Sequence, residues 1–191
     1  MARKKLQFIY KFIISKLFQI IYGKIVFLNQ NDNDVKIKEV IKEENNYKLI
    51  EINNGRIFTD YIEHVAIINK NQIMDFVSYQ QVKGVFKDPT FNVVIKKGTP
   101  KFKKKFNGKV FSLVQGASGN NNYFHWMFDI LPRLIILEKF YNLNDINFFY
   151  CPQIKPWQLS TLSIFNIGND KLIDSNLHRH IQADKILAVS H

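Results

Sequence analysis

The sequence predicts an α/β chain in which a helix and a run of antiparallel strands precede a parallel sheet with covering helices. Three observations predict it: a basic, helically periodic segment opens the chain, short alternating stretches fill residues 35–79, and strand and helix patterns alternate from Lys109 onward. With 191 residues, 46% hydrophobic and 23% charged, the chain is long enough for one domain or slightly more, and its composition excludes intrinsic disorder.

Residues 1–24 carry Arg3, Lys4, Lys5, Lys11, Lys16 and Lys24 and no acidic residue. Lys4, Lys11, Ser15 and Gln19 follow helical spacing along one side, while Phe8, Ile9, Phe12, Ile13, Leu17, Ile20 and Ile21 form a wide apolar face. This is a basic amphipathic helix. Lysines interrupt the apolar run well short of the roughly 18–20 residues of a spanning helix, and no small-residue cleavage site follows, so neither a signal peptide nor a membrane span is expected. Two roles remain open: an in-plane anchor on anionic lipid, or a helix docked on the protein's own core.

Residues 25–108 read as mainly antiparallel strands. The polar break Asn29–Asp34 is followed by VKIKEVI (35–41), YKLIEI (47–52), RIFTDYIEHVAII (56–68) and IMDFVSY (73–79), with Asn53-Asn54-Gly55 as the tight turn of a hairpin. The lysine-dense stretch 96–105 interleaves Phe102 and precedes Phe106, as in some single-strand nucleic-acid surfaces, but no nucleic-acid motif accompanies it. It reads as a solvated charge run, and no nucleic-acid partner is expected. The formal charge of +11 remains suited to anionic lipid or phosphate-bearing substrates.

Residues 109–191 read as strand (109–114), Gly/Ser/Asn loop (116–122), helix (123–142), strand (146–150), helix (156–166), and strands at 171–174 and 185–190. That grammar is one Rossmann-like half of a larger enzyme. Cys151 is the only cysteine, which excludes an intramolecular disulfide and fits a reducing cytoplasm; its apolar neighbours predict a buried, protonated thiol. His178 and His180, with His64 and His191 elsewhere, lack a recognised ligand spacing, and no metal site or cofactor is expected.

The segment with chemistry is Asn121–Leu134. Residues four apart on a helix are neighbours, so His125, Asp129 and Arg133 form one polar row among apolar residues. A carboxylate beside a histidine fixes its tautomer and raises its basicity, and an arginine can neutralise a phosphate or orient the carboxylate. Asn121 or Asn122 can cap the helix, and Pro132 inside it removes a hydrogen bond and predicts a kink.

The string Asn122-Tyr123-Phe124-His125-Trp126, followed by Asp129 and Leu131-Pro132-Arg133, resembles the signature of glycosyltransferase family 61. Residues 55–80 and 181–190 are similar to the stretches that flank that signature in bacterial members. The resemblance implies the first half of a GT-B transferase, in which two Rossmann-like halves face a cleft and transfer inverts the anomeric carbon without a metal. It implies cell-surface polysaccharide synthesis, either capsule or lipopolysaccharide. The substrates would be a nucleotide-sugar donor and a glycan or lipid-linked sugar acceptor.

Under that resemblance His125 is the base and Asp129 orients it, or the two exchange roles; Arg133 positions a phosphate or the carboxylate, and Asn122, Tyr123 and Trp126 contact substrate, the two aromatics by stacking on sugar rings. The second, donor-binding half is not apparent. The chain alone is therefore expected to be inactive, as a fragment, a truncated gene or one part of a split enzyme. The expected location is the cytoplasm, at the inner face of the membrane if the N-terminal helix anchors it. The competing reading is a non-catalytic basic module that binds a membrane surface or nucleic acid.

Overall fold

The structure is a computed structural model that describes residues 2–27, 34–42, 45–60, 64–82, 85–87, 89–114 and 122–190. After helix α1 (Ala2–Tyr22) come strands β1 (Val35–Lys42), β2 (Asn45–Asn53), β3 (Arg56–Thr59), β4 (His64–Asn69), β5 (Gln72–Ile73), β6 (Tyr79–Val82) and β7 (Val85–Lys87), then helix α2 (Val93–Lys97) and strand β8 (Lys104–Ser112). Helical residues Tyr123–Glu138 lead to β9 (Phe148–Cys151), α5 (Pro156–Ser163), β10 (Leu172–Asp174) and β11 (His180–Val189). Within 123–138, α3 is Tyr123–His125 and α4 is Leu131–Glu138, joined by a π-turn. The chain is thus mixed α/β, and its eleven described strands form one sheet.

The parallel strands stand in the order β10-β9-β8-β11. Their covering helices lie on one face, where Leu134, Leu137 and Leu162 meet Phe111, Phe149, Leu187 and Val189. On the opposite face Val110, Tyr150, Ile181 and Ile186 pack with Ile57, Val65 and Ile67 of the antiparallel strands, and no helical residue joins that cluster among the described residues. That cluster is made of strand residues together with Val77 of the segment between β5 and β6 and Val114 after β8. Consistent with this, β10 connects to β11 through residues 175–179 without a helix, and Tyr150 Oη donates to the His178 carbonyl of that connection at 2.8 Å. The boundary expected at 108/109 falls inside β8, because the antiparallel and parallel parts share β11.

The hairpin expected at Asn53-Asn54-Gly55 does not form. β2 and β3 both run antiparallel to β11, at Lys185–Val189 and at His180–Gln182, so residues 45–59 are one strand direction interrupted by a bulge. Asn54, at φ 54°, supplies the left-handed residue of that bulge rather than a reversal. Asp184 organises the break from the middle: its carbonyl accepts from Asn54 N at 2.9 Å, and its Oδ2 accepts from Gly108 N at 2.7 Å. Pairing of Leu49–Asn53 and Arg56–Phe58 with a distant strand outweighs a local turn preference.

Among the described residues, α1 docks through its C-terminal half. Phe18 is buried edge-on to Phe102 at 5.1 Å, Tyr22 lies edge-on to His180 at 4.9 Å, and Gln19 Nε2 donates to the Lys96 carbonyl at 3.0 Å. Leu6, Phe8, Tyr10, Phe12 and Ile13 are exposed. Among the described residues no helix is long and apolar enough to cross a membrane.

Candidate functional site

Helix 123–138 begins beyond the carboxyl end of β8, after residues 115–121, which lie outside the described residues along with Gly116, Gly119 and Asn121. Asn122 is the cap: its Oδ1 accepts from Phe124 N at 2.9 Å and from His125 N at 3.4 Å. Its side-chain oxygen is thereby committed to the backbone.

Pro132 has no N–H to give the carbonyl four residues back, and its ring crowds that carbonyl. The helix widens ahead of it. Over Trp126–Ile130 the turn is a π-turn, and Leu131 N–H bonds to the Trp126 carbonyl, five residues back. The distortion expected at Pro132 is therefore present one turn upstream of the ring. His125 and Asp129 bracket this turn.

Across it, His125 Nδ1 stands 2.6 Å from Asp129 Oδ2, with the histidine side chain 32% exposed and the aspartate 19%. With a proton on Nδ1 held by the carboxylate, Nε2 is the nitrogen left to accept one. A second His–Asp pair makes the contrast plain. His64 Nδ1 lies 3.0 Å from Asp60 Oδ2, but His64 is only 8% exposed and its Nε2 is buried without a partner among the described residues. The two pairs share chemistry, but only His125 combines it with access.

Arg133 is buried, and burial pulls its guanidinium down to about 10 while Tyr79 and Asp129 offset that effect. It remains protonated near neutrality. Its burial favours steadying the Asp129 carboxylate over contacting a substrate phosphate. Trp126 has no exposed surface; its Nε1 donates to Thr161 Oγ1 at 2.8 Å and its ring meets Trp157 edge-on at 6.1 Å. The expectation that Trp126 stacks on a sugar ring does not fit that placement, because both ring faces are enclosed in the core between helix and sheet. It anchors the helix instead.

Exposed aromatics flank the helix, and of these Phe124 stands beside the pair, its ring 5.8 Å from that of His125. Tyr123 is exposed, with its ring 5.4 Å from that of Trp157, and Phe124 and Phe128 are exposed with ring centroids 4.8 Å apart. Sequence reasoning passed over Phe124 and Phe128; their spacing of four, beside His125 and Asp129, was the available signal. Two such rings exposed to water are costly unless something covers them.

Other candidates fall away. Cys151 is buried, and burial pushes its thiol up, followed by the Asp174 charge, so it is no nucleophile. His178 lies edge-on to Phe106 at 5.8 Å, His180 is fully buried, and His191 lies outside the described residues. Among the described residues no three His, Cys, Asp or Glu side chains converge on a common point.

The chain matches no family model, no curated protein and no solved structure.

Proposed function

We propose that this chain supplies the acceptor-activating half of an inverting, metal-independent glycosyltransferase for cell-surface polysaccharide. The observation that carries the reading is the partly exposed His125–Asp129 pair at 2.6 Å on a π-turn beyond the carboxyl end of a parallel strand. The string from Asn122 to Arg133 supports it through its likeness to the family 61 signature.

In the proposed reaction His125 Nε2 takes the proton of an acceptor hydroxyl as that oxygen attacks the anomeric carbon. The bond from that carbon to the nucleoside diphosphate breaks, and the diphosphate departs with the electron pair. Asp129 holds the imidazole in the productive tautomer and balances the imidazolium that forms. Arg133 steadies the carboxylate from within the core. Phe124 and Phe128 form an apolar platform suited to a sugar face, and Tyr123 beside Trp157 offers a second aromatic surface. The donor is a nucleotide sugar, the acceptor a glycan or lipid-linked sugar, and the setting the cytoplasmic face of a membrane to which α1 attaches.

A second reading has one observation in its favour. The uncovered apolar residues of α1, interspersed with lysines, suit a membrane-binding module without catalysis.

The test is made where the chain works. In its source cell, His125→Ala at the chromosomal locus should reduce surface polysaccharide to the level of a deletion, and extracts should transfer radiolabelled sugar roughly 10²–10⁴-fold more slowly. Unchanged transfer removes His125 from the base role. Transfer and polysaccharide that do not depend on the chain at all would leave the membrane module standing.

A further inference from the structure

Strand β11 runs from the candidate site to the opposite end of the sheet, where a second set of polar groups collects. A cleft of about 380 Å³ opens there between the last turn of α1, the bulge at Asn54, the turn between β4 and β5, and the residue before β8. Its charges do not cancel. Among the described residues, Arg56, Lys70 and Lys103 line it with a single carboxylate, Asp34, whose Oδ2 already pairs with Lys70 Nζ at 2.9 Å.

The cations are held in place. Arg56 is 5% exposed, and its Nη2 donates to the Lys70 carbonyl and, at 3.0 Å, to Asn71 Oδ1. Lys103 is fixed through its backbone, where its N–H donates to Tyr22 Oη at 3.0 Å, and its Nζ sits 5.5 Å from the Tyr22 ring. Burial lowers the lysine's proton affinity, and the Arg56 and Lys105 charges lower it further.

Asn69 adds a directional signal. It is 2% exposed and lines the cleft, yet its Nδ2 has no acceptor among the described residues. A buried donor left unmet costs free energy that an acceptor atom of a ligand would return. Asn54 and Gln182 also line the cleft, joined by a 3.0 Å bond from Gln182 Nε2 to the Asn54 carbonyl. The space exceeds that of a bare phosphate and lies at the small end of ligand sites.

We propose that this cleft binds the phosphate monoester of a small polyhydroxy compound, with Arg56 and Lys103 on the phosphate and the Asn69 and Gln182 amides on oxygen atoms of the ligand. This site is distinct from the His125–Asp129 pair and stands whether or not the transferase reading does. Because α1 ends at the cleft, the phosphate could reach it as a free ester or as a lipid headgroup. The chemistry recognised is the same.

Glycerol 3-phosphate is the soluble probe. Titrated into the full chain, it should bind saturably by calorimetry and shift the Asn69 side-chain amide signal in NMR spectra. Lys103→Gln should weaken binding at least tenfold with the spectrum of the fold retained, whereas Lys104→Gln, the same charge change outside the cleft, should not. The lipid arm compares phosphatidylcholine vesicles containing phosphatidic acid, a monoester, with vesicles containing phosphatidylglycerol, a diester, at matched surface charge. A preference for phosphatidic acid that Lys103→Gln abolishes assigns the phosphate to a headgroup, and soluble binding assigns it to a free ester. Absence of both, or equal loss in the two lysine variants, overturns the proposal.

Discussion

The two ends of β11 handle polar groups in opposite ways. Beyond its carboxyl end the groups satisfy one another: Asn122 caps the helix, Trp126 bonds Thr161, and His125 bonds Asp129. At its amino end Arg56, Lys103 and a fully buried His180 crowd together, and Asn69 Nδ2 has no acceptor among the described residues. Proton transfer suits the first arrangement, because a base must already be oriented when its substrate arrives. Capture of an anion suits the second, because the ligand itself completes the charge balance. The difference teaches that a site can be marked by polar groups that close on each other as well as by groups left open.

The comparison breaks most sharply on His125. His125→Ala should lower transfer by roughly 10²–10⁴-fold with little change in the urea midpoint of unfolding, and Asp129→Asn should give a smaller loss in the same direction if it orients the ring. A large fall in stability with activity intact would make the pair a structural one, like His64–Asp60.

Trp126→Ala should do the reverse. Removing a fully buried indole from the core should cost about 3–5 kcal/mol, read by urea denaturation, and inactivate only through unfolding. Trp126→Phe should keep most of that stability, losing mainly the bond to Thr161.

At the amino end, Arg56→Ala should destabilise by about 1–3 kcal/mol, because the Lys70 carbonyl and Asn71 Oδ1 lose their charged donor. Acid should expose the same end. Burial holds His180 down to about 4, with the Arg56 and Lys103 charges adding to it against the bond with the Lys101 carbonyl. The unfolded imidazole takes its proton near pH 6.5, so stability present above that value falls as the pH drops toward about 4. Urea midpoints measured over this window should slope, and His180→Gln should flatten them. A further loss belongs to Glu51: burial pushes its carboxyl up, but bonds from Lys38, Tyr141 and Lys185 outweigh it and hold it at about 2, so its share is lost only as the pH falls below about 4.5.

The smallest effect is at the cap. Asn122→Ala should cost about 1 kcal/mol of stability, measurable as a lower thermal midpoint. An equally large fall in transfer at saturating substrate, beyond what lost stability explains, would show that Asn122 does more than cap.

Several elements were legible in the sequence because their causes are local. The helical row placed His125 beside Asp129, alternation marked β1 and β2, and the apolar setting of Cys151 announced its burial. The same logic failed where a distant partner decided. Asn53-Asn54-Gly55 carries a strong turn signal, yet β11 captures both flanking runs in one direction. Spacing also left open which way Arg133 faces, since it follows Asp129 by one turn and is buried, and it could not settle the exposure of Trp126.

By itself the sequence determined the longer helices, most of the long strands and which side chains are four apart on the helix carrying the histidine, whereas it read a strand over 73–79 and a loop over 96–105 where β5 ends at Ile73, α2 ends at Lys97 and β8 begins at Lys104. The features it determined follow from backbone sterics and side-chain periodicity within a turn or a strand. The tertiary structure alone decided that β11 joins the antiparallel and parallel parts into one sheet, that the core face opposite the helices includes no helical residue among those described, and that Asn69, Arg56 and Lys103 line one cleft. Those outcomes depend on pairing between residues more than a hundred positions apart, such as Ile52 with Ile186, whose energy arises only when the chain closes on itself.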